Sequence, residues 1–318
     1  MPDYSIFGGR LRSDLEFPEL QRSSAGAPEW TIISSTHATE SADDELLGDD
    51  AVDGSVRVRL YRSGAGFRLE YDDTGSFAIS ANGSRITWNP AADASTECAR
   101  LDIIGRVLAT ALHARGVMTL HGSAVEIDGA AIAFLGPKFH GKSTLSMALT
   151  GAGARLLTDD TLPVEAGEPP LAWPGVHSVR LFADAAGRLR GSEVVGDPFQ
   201  VKETITELGE DRLMFERVQL AAIYQLTPVD QSVARASVER EMLSAVPSTM
   251  VLVRHSKLAP LLGKTEAPVL FQQALAMARA VPVFELRVVR DFDQLPDVVS
   301  RLLEWHSSSL VHDATGAT

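Results

Sequence analysis

The sequence predicts an α/β protein, α+β overall, in which a smaller β-rich N-terminal domain precedes a larger domain of strands and helices. Two observations predict this division. From Ser5 to about Asn89 the chain has short segments in which apolar and polar residues alternate, which is the pattern of strands with one solvated face. After Val117, apolar runs alternate with helical segments, which is typical of βαβ units around a mostly buried sheet.

The N-terminal part divides into a β-rich domain at residues 1–95 and a connecting helix at residues 96–116. Within Cys98–Ala114 the helical spacing of apolar residues predicts the helix and its apolar face, with Gly116 as a C-terminal cap; the face consists of Leu101, Ile104, Leu108 and Leu112. The acidic stretch Ser35–Gly54 has no apolar period and predicts a mobile loop. The predicted strands are Trp30–Ser34, Val56–Arg62, Phe67–Tyr71, Phe77–Ala81 and Arg85–Trp88.

The larger domain is predicted at residues 117–306, and residues 307–318 are expected to form a flexible tail. Its predicted strands are Thr119–Ile127, Ala131–Leu135, Arg155–Thr158, Ser178–Phe182 and Gln219–Leu226. Its predicted helices are Ser143–Thr150, Arg240–Val246, Pro268–Arg279 and Gln294–Trp305.

The composition excludes several classes of function. The formal net charge is −13, so the long-range field repels polyanions and we expect no nucleic-acid partner. A single cysteine, Cys98, cannot form an internal disulfide, which suits a reducing cytoplasm. The N-terminus lacks a signal-peptide pattern, and no apolar run reaches the length of about 18 residues that a membrane span needs. We therefore expect a soluble cytoplasmic protein without a membrane partner.

The run Gly136–Ser143 matches the GxxxxGK[ST] pattern between an apolar strand and a helix-forming segment. In this pattern the loop wraps phosphates with backbone N–H groups, and the following helix N-terminus adds partial positive charge. Lys142 would bridge the β- and γ-phosphates, and the Ser143 hydroxyl would bind Mg²⁺. The alternative is a strand, turn and helix with a chance GK[ST]. The predicted nucleotide-binding residues are Gly136, Pro137, Lys138, Phe139, His140, Gly141, Lys142, Ser143 and Thr144.

Two adjacent acids, Asp159 and Asp160, follow an apolar segment and are expected at the end of a strand. Ligands bind at that edge of a doubly wound sheet, so the acids are expected to face the phosphates. One carboxylate can hold Mg²⁺ while the other takes a proton from an incoming hydroxyl, and phosphoryl transfer needs both tasks. The alternative is a solvated turn.

His121 is a third candidate. The turn Ile127–Ala130 is expected to join two strands into a hairpin, which would bring His121 and Gly136 to the same end. This position would allow the imidazole to lie beside the transferred phosphate. A lone histidine is more often a core or surface residue, and that alternative stays open.

Three segments in this order, HGSAVEIDG, GPKFHGKST and RLLTDD, resemble the catalytic domain of HPr kinase/phosphorylase, a bacterial P-loop kinase that phosphorylates a serine of a carrier protein. Further segments resemble the HPr-kinase-related proteins, including the kinases of lasso-peptide gene clusters, which phosphorylate a peptide's terminal serine. These segments are YSIFGGRLRSDLEFPEL, PGVHSVRL, QLAAIYQL, RHS and VPVFELRVVRDFDQLPDVV. The resemblance spans nearly the whole chain and implies a P-loop, HPr-kinase-like C-terminal domain.

By position, the resemblance implies a role for each candidate. It makes His121 a catalytic histidine and Asp159 the base that deprotonates the acceptor. It makes Asp160 a metal-associated acid. Arg180 and Lys202 resemble further basic residues of the related group, which reach phosphate or substrate. Because the related kinases often self-associate, a homo-oligomer is compatible with the resemblance.

The sequence also departs from the family pattern. Phe139 stands where the usual loop of HPr kinase has a glycine, and His140 follows it. The family's later signature with glutamate and arginine is missing between Trp173 and Asp184, so the bifunctional enzyme that also removes the phosphate is a poor match. The N-terminal β-rich part fits the peptide-kinase group better.

The expected function is ATP-dependent transfer of the γ-phosphoryl group to a serine or other hydroxyl, on a peptide or protein. No guanine-reading [NT]KxD run follows the loop, which favours ATP. One alternative is a nucleotide-binding module whose catalysis has been lost, with Phe139 and His140 as the sign of that loss. Another is a kinase of a small hydroxyl metabolite, because acceptor pockets are built from loops without a fixed pattern.

Overall fold

The computed structural model describes residues 1–24, 26–37, 43–52, 56–177, 179–182, 187, 202–205, 208–230 and 236–307. The described part is an α+β fold with two large sheets. The strands of the first sheet are β1 (Asp3–Ile6), β2 (Gly9–Ser13), β3 (Trp30–Ser34), β4 (Glu45–Val52), β5 (Val56–Ser63), β6 (Gly66–Tyr71), β7 (Gly75–Ile79) and β8 (Arg85–Pro90). Their order is β1-β2-β3-β8-β7-β6-β5-β4, and β3 is parallel to both of its neighbours.

The five strands predicted for the N-terminal part all lie in this sheet. The predicted loop Ser35–Gly54 was wrong over Glu45–Val52, which forms β4; residues 38–42 and 53–54 of that stretch lie outside the described residues. β4 is an edge strand, and Leu47 is its only buried side chain in the described structure. Main-chain pairing with β5 holds it, so no apolar period marks it in the sequence.

The connecting helix consists of α1 (Thr96–Asp102), a π-helical segment (Ile103–Val107) and α2 (Leu108–His113). The predicted face was partly wrong, because Leu101 is 56% exposed whereas Leu108 and Leu112 are buried. A π-helical segment inserts an extra residue into the helix and rotates the face that follows. The N-terminus of the helix is capped by the Ser95 hydroxyl, which accepts from the Cys98 N–H.

The remaining strands are β9 (Met118–Ile127), β10 (Ala130–Leu135), β11 (Arg155–Glu165), β12 (Leu171–Ala172), β13 (Val179–Phe182), β14 (Lys202–Ile205), β15 (Val218–Val229), β16 (Val238–Met242) and β17 (Val283–Val289). The second sheet has the order β10-β9-β11-β12-β15-β17-β16, and a further pairing of β10 with β15 closes its first five strands into a ring. β13 and β14 form a separate hairpin. The other helices are α3 (Lys142–Gly151), α4 (Ala245–Arg254), α5 (Ala267–Ala280) and α6 (Leu295–His306).

The helices predicted at Pro268–Arg279 and Gln294–Trp305 correspond to α5 and α6. The helix predicted over Arg240–Val246 was wrong, because β16 ends at Met242 and α4 begins at Ala245. β16 is an edge strand of the second sheet, and Glu239, Glu241 and Met242 are exposed or half-buried there. The segment therefore lacks the alternation of apolar and polar residues that predicts a strand. The predicted strand Ser178–Phe182 is present from Val179, and residues 178 and 308–318 lie outside the described residues.

Both sheets contribute to one hydrophobic cluster, which includes Trp30, Leu112 and Leu120. A second cluster lies between the second sheet and the helices α3 and α6. Polar contacts also join them. Glu266, at the start of α5, pairs with Arg62 of β5 and with His113 of the connecting helix. The domain boundaries at residues 95, 116 and 306 stay a prediction. Within the described residues, no helix combines the length and apolarity that a membrane span requires.

Buried histidines make the stability of the fold dependent on pH. Burial lowers the pKa of His255 and His306 to about 4, and it also lowers the pKa of His113 and His177. In the unfolded chain an imidazole has a pKa of about 6.5, so below that pH the unfolded state binds more protons than the folded state. The stabilisation is present above about pH 6.5 and is lost as the pH falls towards 4.

We therefore expect the free energy of unfolding to decrease between pH 7 and pH 5, as measured by urea denaturation. His306→Gln should reduce this decrease, because it removes one of the groups that titrate. His37→Gln is the matched control, because His37 is exposed. A free energy of unfolding that falls as steeply towards pH 5 in His306→Gln as in the unchanged protein would contradict the assignment.

Candidate functional site

The hairpin β9–β10 brings His121 to the end of the sheet where the Gly136 loop begins. Asp128 and Gly129 form its turn with φ of 48° and 90°. The antiparallel register pairs Ala130 with Ile127 and Leu135 with Gly122. Gly122 is next to His121 in the chain, so the hairpin predicted from the sequence places both candidates at one end.

The segment Gly136–Gly141 joins β10 to α3, which begins at Lys142. Gly141 is the N-cap residue and has φ of 87°, a left-handed conformation that favours glycine. No atom lies within 4 Å of the position that a Cβ would occupy there. Space is therefore open beside Gly141 at the start of α3, and the first N–H groups of a helix attract anions.

Lys142 folds back on the loop. Its side chain is buried, and its Nζ donates to the carbonyl oxygens of Gly136 at 2.8 Å and Pro137 at 3.2 Å. Next to it, the Nδ1 atom of His140 lies 3.1 Å from the Leu226 carbonyl oxygen. The ammonium group is thus held against the loop whose pattern predicts phosphate binding.

Phe139 shows how this loop tolerates a residue other than glycine. Its φ is 71°, so its backbone adopts the left-handed conformation that a glycine would adopt. The residue is 59% exposed. Pro137 and Lys138 are also exposed, and Thr144 is half-buried in the first turn of α3.

Asp159 connects the strand β11 to the helix α3. Its Oδ1 atom accepts from the Ser143 hydroxyl at 2.8 Å and from the Ser123 hydroxyl at 2.6 Å. Among the described residues no group of three or more His, Cys, Asp or Glu side chains is suited to a metal. Mg²⁺, however, usually binds to one or two protein oxygens and completes its shell with phosphates and waters. The carboxylate of Asp159 and the hydroxyl of Ser143 fit that requirement.

Asp160 makes a different set of contacts. Its backbone has φ of 90°, and its Oδ1 lies 3.0 Å from Nδ1 of His121, while its Oδ2 accepts from the ammonium of Lys257. Partial loss of hydration beside its neighbours acts to raise the pKa of Asp160, but Lys257 and then His121 outweigh it, so this pKa lies well below its ordinary value. The side chain is 58% exposed, so solvent screens these two contacts in part.

The contact with Asp160 fixes the tautomer of His121. A carboxylate only accepts hydrogen bonds, so Nδ1 of His121 carries the proton in this contact. In the neutral imidazole, Nε2 is then an acceptor with a free lone pair. The side chain is 36% exposed, which leaves it accessible to a ligand.

Lys257 is a site residue that the sequence reasoning missed. The main chain beside it is joined to β9, because the N–H of His121 donates to the His255 carbonyl at 2.7 Å and the N–H of Lys257 donates to the Thr119 carbonyl at 2.9 Å. These two bonds bring the segment after α4 to the acid pair. In the sequence, only the neighbouring segment Arg254–Ser256 is part of the resemblance. No spacing pattern marks Lys257.

The expectation that β11 ends at the acid pair was wrong. β11 continues to Glu165, and the pair lies within it, where Asp159 is opposite Ser123 and Asp160 is opposite Gly122 of β9. The strand continues because its main chain stays paired with β9 despite the polar side chains. The acids nevertheless lie beside the loop, through the contact of Asp159 with Ser143.

The remaining candidates are Arg180 and Lys202. Their main chains belong to the β13–β14 hairpin, where Arg180 is opposite Thr204 and Lys202 is opposite Phe182. Their side chains lie outside the described residues, so their predicted contact with phosphate or substrate stays a prediction.

Comparison with known proteins adds little to this geometry. No family model matches the sequence, and no curated protein matches it either. Among solved structures, the Hpr(Ser) kinase/phosphatase from Coxiella burnetii aligns with 12% sequence identity and a TM-score of 0.32, covering 63% of this chain and 99% of that chain.

Lys257→Met should raise the pKa of Asp160 towards its ordinary value, because the variant removes the nearest positive charge. The pKa can be measured by NMR titration of ¹³C-labelled aspartate carboxyls. Lys264→Met is the matched control, because Lys264 is exposed and belongs to the loop before α5. An unchanged titration of Asp160 in Lys257→Met would show that the ion pair does not hold the carboxylate.

Proposed function

We propose that this chain is a kinase that transfers the γ-phosphoryl group of ATP to a hydroxyl acceptor. The observation that carries the proposal is the hydrogen bond between Ser143 and Asp159, 2.8 Å long. It joins the loop whose pattern predicts phosphate binding to a strand with two adjacent acids. A phosphate-binding loop, a metal-binding oxygen pair and a group that accepts a proton are the components that phosphoryl transfer requires.

The loop is proposed to bind the triphosphate. The open main chain at Gly141 and the first N–H groups of α3 would donate to phosphate oxygens. Lys142 now donates to two loop carbonyls, and phosphate oxygens would be stronger acceptors for its ammonium. The absence of a guanine-reading run and the resemblance favour ATP over GTP.

Ser143 and Asp159 are proposed to hold Mg²⁺. Both offer hard oxygen ligands, and they already lie within hydrogen-bonding distance of one another. When bound, the ion neutralises charge on the phosphates. Ser123, which also donates to Asp159, fixes the orientation of this carboxylate.

The pair Asp160 and His121 is proposed to receive the proton of the acceptor hydroxyl. The resemblance assigns the base to Asp159 and the metal-associated role to Asp160. The contacts favour the exchange of these two roles, because Asp159 is bonded to Ser143 whereas Asp160 orients an imidazole. A histidine oriented by a carboxylate presents its free Nε2 to a hydroxyl, and Lys257 keeps that carboxylate anionic.

The acceptor is proposed to be a serine hydroxyl of a peptide or protein, in line with the resemblance. A small hydroxyl metabolite remains the second candidate. The third candidate is a module that binds ATP without turnover. The main argument for it is that Phe139 replaces a glycine of the loop. The left-handed backbone of Phe139 weakens this argument, because the loop keeps the conformation that a glycine would give.

Lys142→Ala should abolish phosphoryl transfer and weaken ATP binding, because the variant removes the charge closest to the loop carbonyls. Transfer is measured with radiolabelled ATP and a panel of serine-containing peptides, and binding by calorimetry. Lys264→Ala is the matched control. Full activity of Lys142→Ala would remove the loop from the mechanism.

Asp159→Asn and Asp160→Asn should separate the two acids. Asp160→Asn is expected to leave ATP and Mg²⁺ affinity unchanged and to lower kcat by about 10²–10⁴, the usual contribution of a positioned acid or base. Asp159→Asn is expected to raise the Mg²⁺ concentration needed for half-maximal activity. If instead Asp159→Asn lowers kcat and Asp160→Asn raises the Mg²⁺ requirement, the two acids have the roles that the resemblance implies.

A further inference from the structure

The residues Pro137–His140 form a turn within the Gly136–Gly141 loop, in which the N–H of His140 donates to the Pro137 carbonyl at 3.4 Å. Phe139 is the third residue of this turn and has φ of 71°. A positive φ at the third position of a turn favours glycine, because a Cβ makes the left-handed conformation costly in free energy. A phenylalanine is therefore strained at this position.

The side chain of Phe139 does not offset this strain by burial. The residue is 59% exposed, and it belongs to neither of the two hydrophobic clusters. Residues that are held in strained conformations are found mainly at active sites and ligand-binding segments, where the strain serves the function. The combination of strain and exposure indicates a role of this side chain in ligand contact.

Lys142 shows which part of a nucleotide would lie beside this turn. Its Nζ donates to the carbonyl oxygens of Gly136 and Pro137, so the ammonium group lies where the turn begins. In loops with the GxxxxGK[ST] pattern, this lysine reaches the β- and γ-phosphates. The γ-phosphoryl group, which is transferred, would therefore lie next to the turn, and the nucleoside would lie farther away.

His140 fastens the turn to the second sheet. Its Nδ1 lies 3.1 Å from the Leu226 carbonyl oxygen of β15, and because a carbonyl oxygen only accepts, Nδ1 is the donor. A Cβ at Gly136 would lie 3.4 Å from the Cβ of His140 and 3.5 Å from the same carbonyl oxygen. The imidazole thus packs against the start of the loop and holds the turn, with Phe139, against β15.

The same end of the sheet carries the histidine that is proposed to receive the proton. The N–H of His121 donates to the His255 carbonyl at 2.7 Å. Burial is the main cause of the low pKa of His255. Charge at Lys142, at His121 and at His140 lowers this pKa further. These three groups therefore lie around His255, so Phe139 belongs to a turn beside both the transferred phosphoryl group and the proposed proton acceptor.

We propose that Phe139 is a specificity-determining residue, which contacts an apolar group of the acceptor next to the hydroxyl that is phosphorylated. This inference rests on the proposed kinase function, and it applies to a peptide and to a small alcohol alike. The attacking and leaving oxygens are in line in phosphoryl transfer, so the acceptor approaches from the side opposite the nucleoside, where the turn lies. An apolar group there would cover Phe139 and gain the free energy of its burial.

The test uses full-length protein and two alcohol probes, N-acetylserine methylamide and N-acetylserine benzylamide, which differ by one phenyl group. Phe139→Gly removes the side chain and suits the left-handed backbone. Phe139→Tyr keeps an aromatic ring. Phe271→Ala is the matched control, because Phe271 is also exposed but lies on α5.

The ratio of kcat/KM for the benzylamide to that for the methylamide is expected to be about tenfold or more in the unchanged protein, in Phe139→Tyr and in Phe271→Ala. In Phe139→Gly this ratio should fall to about one, while the KM for ATP stays the same. An equal ratio in Phe139→Gly and the unchanged protein would overturn the proposal, and so would the absence of a preference in the unchanged protein. Faster ATP hydrolysis by Phe139→Gly without acceptor, with the preference retained, would instead assign the side chain to the exclusion of water from the phosphate.

Thermal unfolding distinguishes a ligand contact from a structural role. Phe139→Gly should unfold at a midpoint no lower than that of Phe271→Ala, because glycine relieves the strain of the left-handed backbone. A clearly lower midpoint would show that Phe139 stabilises the fold, and this result would overturn the proposal.

A binding measurement separates this inference from the kinase function. Saturation-transfer NMR measures contact of the benzylamide probe with the protein in the presence of Mg²⁺ and a non-hydrolysable ATP analogue. Transfer to the phenyl protons in the unchanged protein and in Phe271→Ala, with loss in Phe139→Gly, supports the contact even if no phosphate is transferred. Equal transfer in Phe139→Gly, or none in the unchanged protein, would overturn the contact, whereas the kinase proposal is judged separately by phosphorylation of either probe.

Discussion

The site depends on one row of residues across three strands. Gly122 of β9 lies opposite Leu135 of β10 on one side and opposite Asp160 of β11 on the other. A Cβ at Gly122 would lie 2.6 Å from Cδ2 of Leu135 and 2.7 Å from the Phe134 carbonyl oxygen, so a larger residue would force the strands apart. This close approach places Leu135, the last residue before the Gly136–Gly141 loop, in line with the second acid.

The electrostatics of the site are local. The whole chain carries a net charge of −13, yet two lysines, Lys142 and Lys257, lie at the loop and at the acid pair. Each is held by hydrogen bonds rather than extended into solvent. His255, between these groups, is kept neutral because burial and the nearby charges lower its pKa to about 4. Two ammonium groups therefore lie at this edge of the sheet, beside the two carboxylates, although the protein as a whole is acidic.

Local signals made part of this arrangement predictable. A turn and alternating apolar residues predict the hairpin, and the glycines and helix-forming residues around Lys142 predict the loop and α3. Tertiary contacts account for what the sequence did not reveal. Lys257 reaches Asp160 across 97 residues of chain, and no periodic pattern marks such a contact. β11 continues past the acids because it is paired with β9. In the sequence, two adjacent aspartates are typical of a turn.

Equilibrium binding of ATP to the full chain, with and without Mg²⁺, tests the central claim most directly. Isothermal titration calorimetry is expected to show one site with a dissociation constant in the range of about 1 μM to 1 mM, typical of enzyme substrates. Binding should be tighter with Mg²⁺, because the oxygens of Ser143 and Asp159 lie together. Absence of binding at millimolar ATP, in the presence of Mg²⁺, would contradict the claim that this loop holds a triphosphate.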